Sequence, residues 1–236
     1  VHLLLAIIYM SFISLGLPDG LLGAAWPSMV PELSAPVSFA GVIFIIISVG
    51  TVISSLLSQR LNLRFGPGKV TAFSVAMTAA ALFGFASSRS IWQLCLWAVP
   101  YGLGAGSVDA CLNNYVALHY ASRHMSWLQC MWGVGASVGP YIMGAALSGG
   151  AGWPMGYRII SLIQLVLTCL IFLSLPLWKT GAGEAAQEEK GGEVLGLGKI
   201  LGLPGAKEIL IAFFCYCALE QTTGLWASSY LVLHKG

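Results

Sequence analysis

The chain has 236 residues, 57% of them hydrophobic and only 8% charged, with a mean hydropathy of +0.83. A soluble domain carries about 25% charged residues, so this sequence lacks the polar surface to face water and reads as an all-α, polytopic membrane protein. The net charge of +2 comes with no basic tract, so nucleic acid is not an expected partner, and no nucleotide-cradling glycine loop is present to support ATP-driven transport.

Hydropathy and turn residues divide the chain into seven spans. Span 1 covers roughly Leu3 to Met29 and is interrupted by Gly16-Leu-Pro-Asp-Gly20, which predicts a bend or a broken helix around Asp19. Trp26 and Pro27 mark its exit, followed by a short polar turn with Pro31, Glu32 and Pro36. Span 2, about Ser38 to Ser58, ends in the basic hairpin Gln59–Lys69, and span 3 is Val70–Ala86. Span 4 begins near Ile91 and ends near Tyr120; its GLGAG at 102–106 follows no strand and reads as close helix packing. The loop Ala121–Met125 carries Arg123 and His124. Span 5 is Ser126–Leu147, with Gly133, Gly135, Gly139-Pro140 and Gly144, and span 6 runs from about Met155 to Trp178.

Residues 179–205 form the only long polar segment, expected to be a mobile cytoplasmic linker whose end, Gly196–Leu203, lies along the membrane surface. Span 7 is Ala206–Leu233. The expected organisation is therefore a six-helix bundle over 1–178, a linker over 179–205 and a seventh helix over 206–236. With the N-terminus inside, eight basic residues fall on the cytoplasmic side and three outside, which satisfies the positive-inside rule for a multi-pass protein of the cell membrane.

All six cysteines lie inside apolar runs and read as packing thiols. His119 and His124 have nothing near them to complete a metal site, so neither a metal nor another cofactor is expected, nor enzyme chemistry. Trp26, Trp127, Trp153 and Trp178 cluster near span ends and read as interfacial belt residues.

Three acids, Asp19, Asp109 and Glu220, fall inside spans, where a carboxylate is costly unless it lines a cavity or a pathway. Asn113 lies one helical turn beyond Asp109 on the same face and offers both a donor and an acceptor. Asn114 points about 100° away. Glu220 is followed by Gln221, Thr222 and Thr223, a polar group at mid-membrane that fits a helix loosening near its centre. Gln129 and Trp132 share a face of span 5, a carboxamide beside an indole, which suits a sugar's hydroxyls and apolar ring face. Gln164 in span 6 and Tyr101 in span 4 complete the candidate solute-binding set. A carboxylate reachable in turn from either side of a membrane can carry a proton across it, so Asp19, Asp109 and Glu220 are the candidate proton carriers. The bland alternatives are that Asp109 is satisfied by neighbouring amides, that Asp19 is a loop acid near the surface, and that Trp132 faces lipid or core.

Six closely connected helices, a charged linker and a seventh helix match half of a secondary transporter built from two inverted three-helix repeats, with the start of a second half. Residues 3–233 resemble the major facilitator superfamily. In that family's loop after span 2, Arg64, Gly66 and Lys69 match, while Leu63 stands where the family has an acid and Gln59 where it has a glycine. Gly135, Gly139-Pro140 and Gly144 resemble its span 5 glycine-proline motif. The basic residue that many members carry early in span 4 is missing. Acids in spans 1 and 4, matched by Asp19 and Asp109, are similar to the fucose/glucose permease-like sugar:proton symporters. The resemblance implies proton-coupled uptake of a small polar, sugar-like solute by alternating access, with Arg64, Gly66, Lys69, Gly135, Gly139 and Pro140 in conformational roles. Two alternatives stand beside it: efflux of small organic compounds, and a truncated, transport-incompetent half that assembles as a homodimer through its exposed polar face.

Overall fold

The structure, a computed structural model, describes the backbone of residues 2–189 and 197–235, and the side chains of 3–178, 198, 199 and 201–234. The described residues are helical almost throughout. The helices are α1 (His2–Gly16), α2 (Leu21–Leu33), α3 (Phe39–Phe65), α4 (Pro67–Ser87), α5 (Ile91–His119), α6 (Ser122–Ser148), α7 (Gly152–Glu189), α8 (Leu197–Leu201) and α9 (Ala206–Lys235). Six stretches are long and apolar enough to cross a membrane, with α1 and α2 together counting as one. The 29-residue α5 matches them in length, about 43 Å, and packs along α3 and α4 in the bundle. Its glycines, Asp109 and two asparagines dilute its apolar character.

The first span is broken where Pro18 and Gly20 fall. Gly20 takes a left-handed backbone (φ 74°), a conformation open to glycine at no steric cost. The amides of Asp19 and Leu21 bond back to Gly16 and Pro18, closing a tight turn. Beyond it α2 continues for 13 residues, about 20 Å, so Asp19 lies mid-span and not in a surface loop. The expected exit at Trp26 and Pro27 is too early, because both Pro27 and Pro31 lie within α2.

The packing has an internal symmetry. A Cβ on Gly102 or Gly106 of α5 would run into the carbonyls of Ile47 and Thr51 on α3; one on Gly135 or Gly139 of α6 would run into those of Ile13 and Leu17. Both pairs advance four residues per step in the same direction, so α3–α5 and α1–α6 are parallel pairs held by small-residue contact. Exchanging the first three spans with the last three carries one pair onto the other, and the α4–α7 contact onto itself. These are the two inverted three-helix repeats.

Hydroxyl and amide groups seal the interior. Gln164 is 1% exposed; its Nε2 donates to the Ser14 carbonyl (2.5 Å) and its Oε1 accepts from Thr78 (3.0 Å), joining α7, α1 and α4. Ser161 bonds the Ala79 carbonyl (3.0 Å), and Thr51 and Ser55 bond carbonyls of α5.

Several boundaries differ from those read off the sequence. The basic hairpin at Gln59–Lys69 is helical on both sides of a one-residue turn at Gly66 (φ 82°). Helix α6 begins at Ser122, leaving Tyr120 and Ala121 as the connection. Helix α7 runs past Trp178 to Glu189, through the first part of the expected linker; positions 190–196 lie outside the described residues. Helix α9 is continuous through Glu220, so the expected loosening at its centre is absent. Three of the four expected belt tryptophans are buried. Trp26 is fully enclosed and donates to the Val37 carbonyl (2.8 Å), Trp153 donates to Glu32 (2.6 Å), and Trp178 packs on Tyr115 and fills the space beside Gly68. In each the indole N–H finds an acceptor inside the protein, Ser174 in the case of Trp178, which removes the reason to sit at a wet interface. Trp127 alone of the four is exposed, at 55%.

Candidate functional site

The break between α1 and α2 opens a cavity of about 450 Å³. Its walls come from four sides: Asp19 and Pro18 at the break, Phe44 and Ile47 on α3, Tyr101 on α5, and Trp132 with Pro140 on α6. The second half of α9 closes it with Glu220, Gln221, Thr223 and Ser228. A volume near 450 Å³ lies within the range of small-molecule sites, which join apolar walls to a few placed polar groups.

The turn at Gly16–Gly20 presents Asp19 to this chamber, which the Trp132 side chain also lines. The close α1–α6 approach sets them side by side: Gly16 lies against the Trp132 backbone, leaving no room for a Cβ. Glu220, half-buried, lines the same chamber, so two carboxylates share it.

A second polar group stands apart. Asn113 Nδ2 donates to Asp109 Oδ1 (2.9 Å), and Gln129 Nε2 reaches Asn113 Oδ1 at 3.4 Å. Asp109 is accessible from the space in front of the bundle, yet set back among protein atoms. Of the expected binding set, the structure thus brings Asp19, Tyr101, Trp132 and Glu220 to one cavity and strings Asp109, Asn113 and Gln129 along a separate line. Asn114 is exposed, and Gln164 is buried and bonded to α4 and α1. The conformational set divides likewise. Gly135 and Gly139 hold α6 against α1, Pro140 lines the chamber, Gly66 makes the α3–α4 turn, and Arg64 and Lys69 are exposed, with Arg64 over the Phe65 ring.

Sequence reasoning missed Phe44, Ile47 and Ser228. Ser228 was within reach of it, since Glu220, Gly224 and Ser228 recur at the four-residue spacing that lines one face of a helix. Phe44 and Ile47 sit in an unbroken aliphatic run, where nothing marks which side faces the chamber. His124, assigned no role, bonds the Tyr9 hydroxyl (2.7 Å) and ties the start of α6 to α1. Beside it, burial and the nearby Tyr9 raise the Tyr120 hydroxyl's pKa above its ordinary value, keeping it neutral. Among the described residues no cluster of His, Cys, Asp and Glu could hold a metal ion.

An all-helical bundle of inverted repeats, with a chamber at a broken span, is the architecture of secondary transporters. The family model described as Major Facilitator Superfamily matches residues 8–236. The chain belongs to that superfamily; it is a multi-pass membrane protein of a transporter family, not an enzyme. None of the curated proteins compared with it matches.

Proposed function

We propose that the chain serves proton-coupled uptake of a small polar, sugar-like solute by alternating access, with its N-terminus in the cytoplasm. The observation that carries this reading is the 450 Å³ chamber holding two carboxylates, an indole, a phenol and the Gln221, Thr223 and Ser228 side chains. Hydroxyls of a pyranose match these donors and acceptors, and Trp132 and Tyr101 supply apolar ring faces. Asp19 and Glu220 are the chamber's proton carriers. Asp109 is the next acid along the α5 face, and its line with Asn113 and Gln129 gives the solute and proton a polar way out. The excess of basic residues at the end holding Arg60, Arg64, Lys69 and Arg123 supports the orientation with that end inside.

The test is calorimetric binding of a sugar panel to detergent-purified protein at several pH values, with Asp19→Asn alongside. Saturable binding that varies with pH in the parent and is weak and pH-independent in Asp19→Asn supports the reading. Sugar binding that survives Asp19→Asn with its pH dependence intact rejects it.

A second reading is favoured by the accessibility of Asp109 and Gln129. Lipid cannot satisfy a carboxylate there, and a second copy can, giving a homodimer that buries the two faces together. A dimer mass in the same samples, with no sugar binding, decides for it.

A further inference from the structure

At the opposite end of the bundle from Arg60 and Arg64, a cleft of about 520 Å³ lies between the end of α2, the α4–α5 connection and the start of α7. Its polar lining is Glu32, Ser87, Ser88, Arg89 and Arg158, over a floor made by Trp153. The charges there are unequal. Glu32 is held at 2.6 Å by the indole N–H of Trp153, which is 2% exposed and braced edge-on by Tyr157. Neither Arg89 nor Arg158 makes an ion pair with any described residue. One carboxylate is thus fixed into the wall, while two guanidiniums open into the same cleft. The first turn of α7 starts at its edge and adds the positive end of that helix.

The depth of the cleft specifies what it meets. Arg89 sits in the short link between two spans, and Arg158 lies six residues, about 9 Å, into α7. Trp92, in the first turn of α5, is 72% exposed at the same level, where indoles mark the headgroup layer. A guanidinium is a planar fork of donors suited to two oxygens of one phosphate. We infer that this cleft binds the phosphodiester headgroup of an anionic phospholipid, with Arg89 and Arg158 on the phosphate oxygens and Ser87 and Ser88 toward the glycerol hydroxyls. The bound lipid would bridge α2, the α4–α5 link and α7, the elements whose ends meet there. This site is independent of the solute chamber.

The test is native mass spectrometry of the purified protein titrated with phosphatidylglycerol or phosphatidylcholine, for the parent, Arg89→Gln/Arg158→Gln, and Arg60→Gln/Arg123→Gln, which removes the same charge elsewhere. The parent is expected to retain phosphatidylglycerol over phosphatidylcholine, the Arg89/Arg158 double variant to lose at least fivefold of that occupancy, and the control pair to keep it. If the double variant does not fold, Arg89→Lys/Arg158→Lys, which keeps the charge but not the fork, should show an intermediate loss. Equal retention in every variant, or equal loss in the control pair, overturns the site. A parallel melting series with soluble glycerol 3-phosphate separates the sources. If the parent melts higher with it while showing no lipid preference, the lipid assignment is overturned.

Discussion

Gln164 and Asp19 are polar groups close together within the same bundle, and the chain uses them in opposite ways. Pro18 borders both surroundings: one is a void of about 10 Å³ beside Gln164, the other the 450 Å³ chamber beside Asp19. Gln164 spends its carboxamide on Thr78 and the Ser14 carbonyl and is sealed. Asp19 keeps an open space in front of it, walled largely by apolar side chains with a few polar groups. A buried polar group with every partner supplied rigidifies a core, whereas one left facing a cavity is available to a solute or a proton. Equal expense in lipid therefore does not mean equal role, and the partners decide which is which.

Perturbations of decreasing size should separate these roles. The largest belongs to the framework that makes both: Gly139→Val drives a side chain into the Leu17 backbone. It is expected to cost about 3 kcal/mol or more, seen as loss of the folded monodisperse peak in size-exclusion chromatography. Gln164→Leu strands the Ser14 carbonyl, while the Thr78 hydroxyl keeps its bond to the Val75 carbonyl; it should cost about 1–3 kcal/mol, read as a lower melting temperature with sugar affinity little changed. A variant that melts normally but no longer binds would break the division. Asp19→Asn should do the reverse, weakening solute binding at least tenfold, about 1.4 kcal/mol, while the melting temperature holds. Trp132→Phe keeps an aromatic face in the chamber wall but removes the indole N–H; affinity should fall about threefold, under 1 kcal/mol, by calorimetry. Asp109→Asn, outside the chamber, should leave equilibrium affinity within about twofold and slow counterflow in proteoliposomes instead. A large affinity loss would place Asp109 at the chamber after all.

The architecture was legible because lipid leaves a chain few options. Long apolar runs must be helices, and Pro18 with Gly20 inside one of them must break it. The acids stood out by their cost alone. What could not be read was which polar residues are already satisfied. Gln164 and Gln129 look alike in sequence, and only the approach of α4 and α1 tells that the first is buried with both ends of its carboxamide bonded. The tryptophans show the same limit from the other side: Trp26, Trp153 and Trp178 sit near span ends as belt residues do, but each has an internal acceptor that lies far away in sequence or was not recognised. Helix ends were misplaced where turn chemistry competes with tertiary packing, as at Gly66, where one glycine replaces an expected hairpin.

The seating of α9 has a mechanical consequence. Gly23 of α2 lies directly against Gly224, with no room for a Cβ on it, while Ile209, Ile211, Phe213 and Phe214 in the first half of α9 are 64–72% exposed. The helix is thus a lever pinned on one side of its middle. Ala206 lies 18 residues from the pin, about 27 Å, so a tilt of about 10° there swings the free end by about 5 Å. Glu220 lies only four residues, about 6 Å, from the same pin and travels about 1 Å. A tilt of that size would carry the exposed half of α9 several ångströms while leaving the acid that shares the chamber with Asp19 nearly in place.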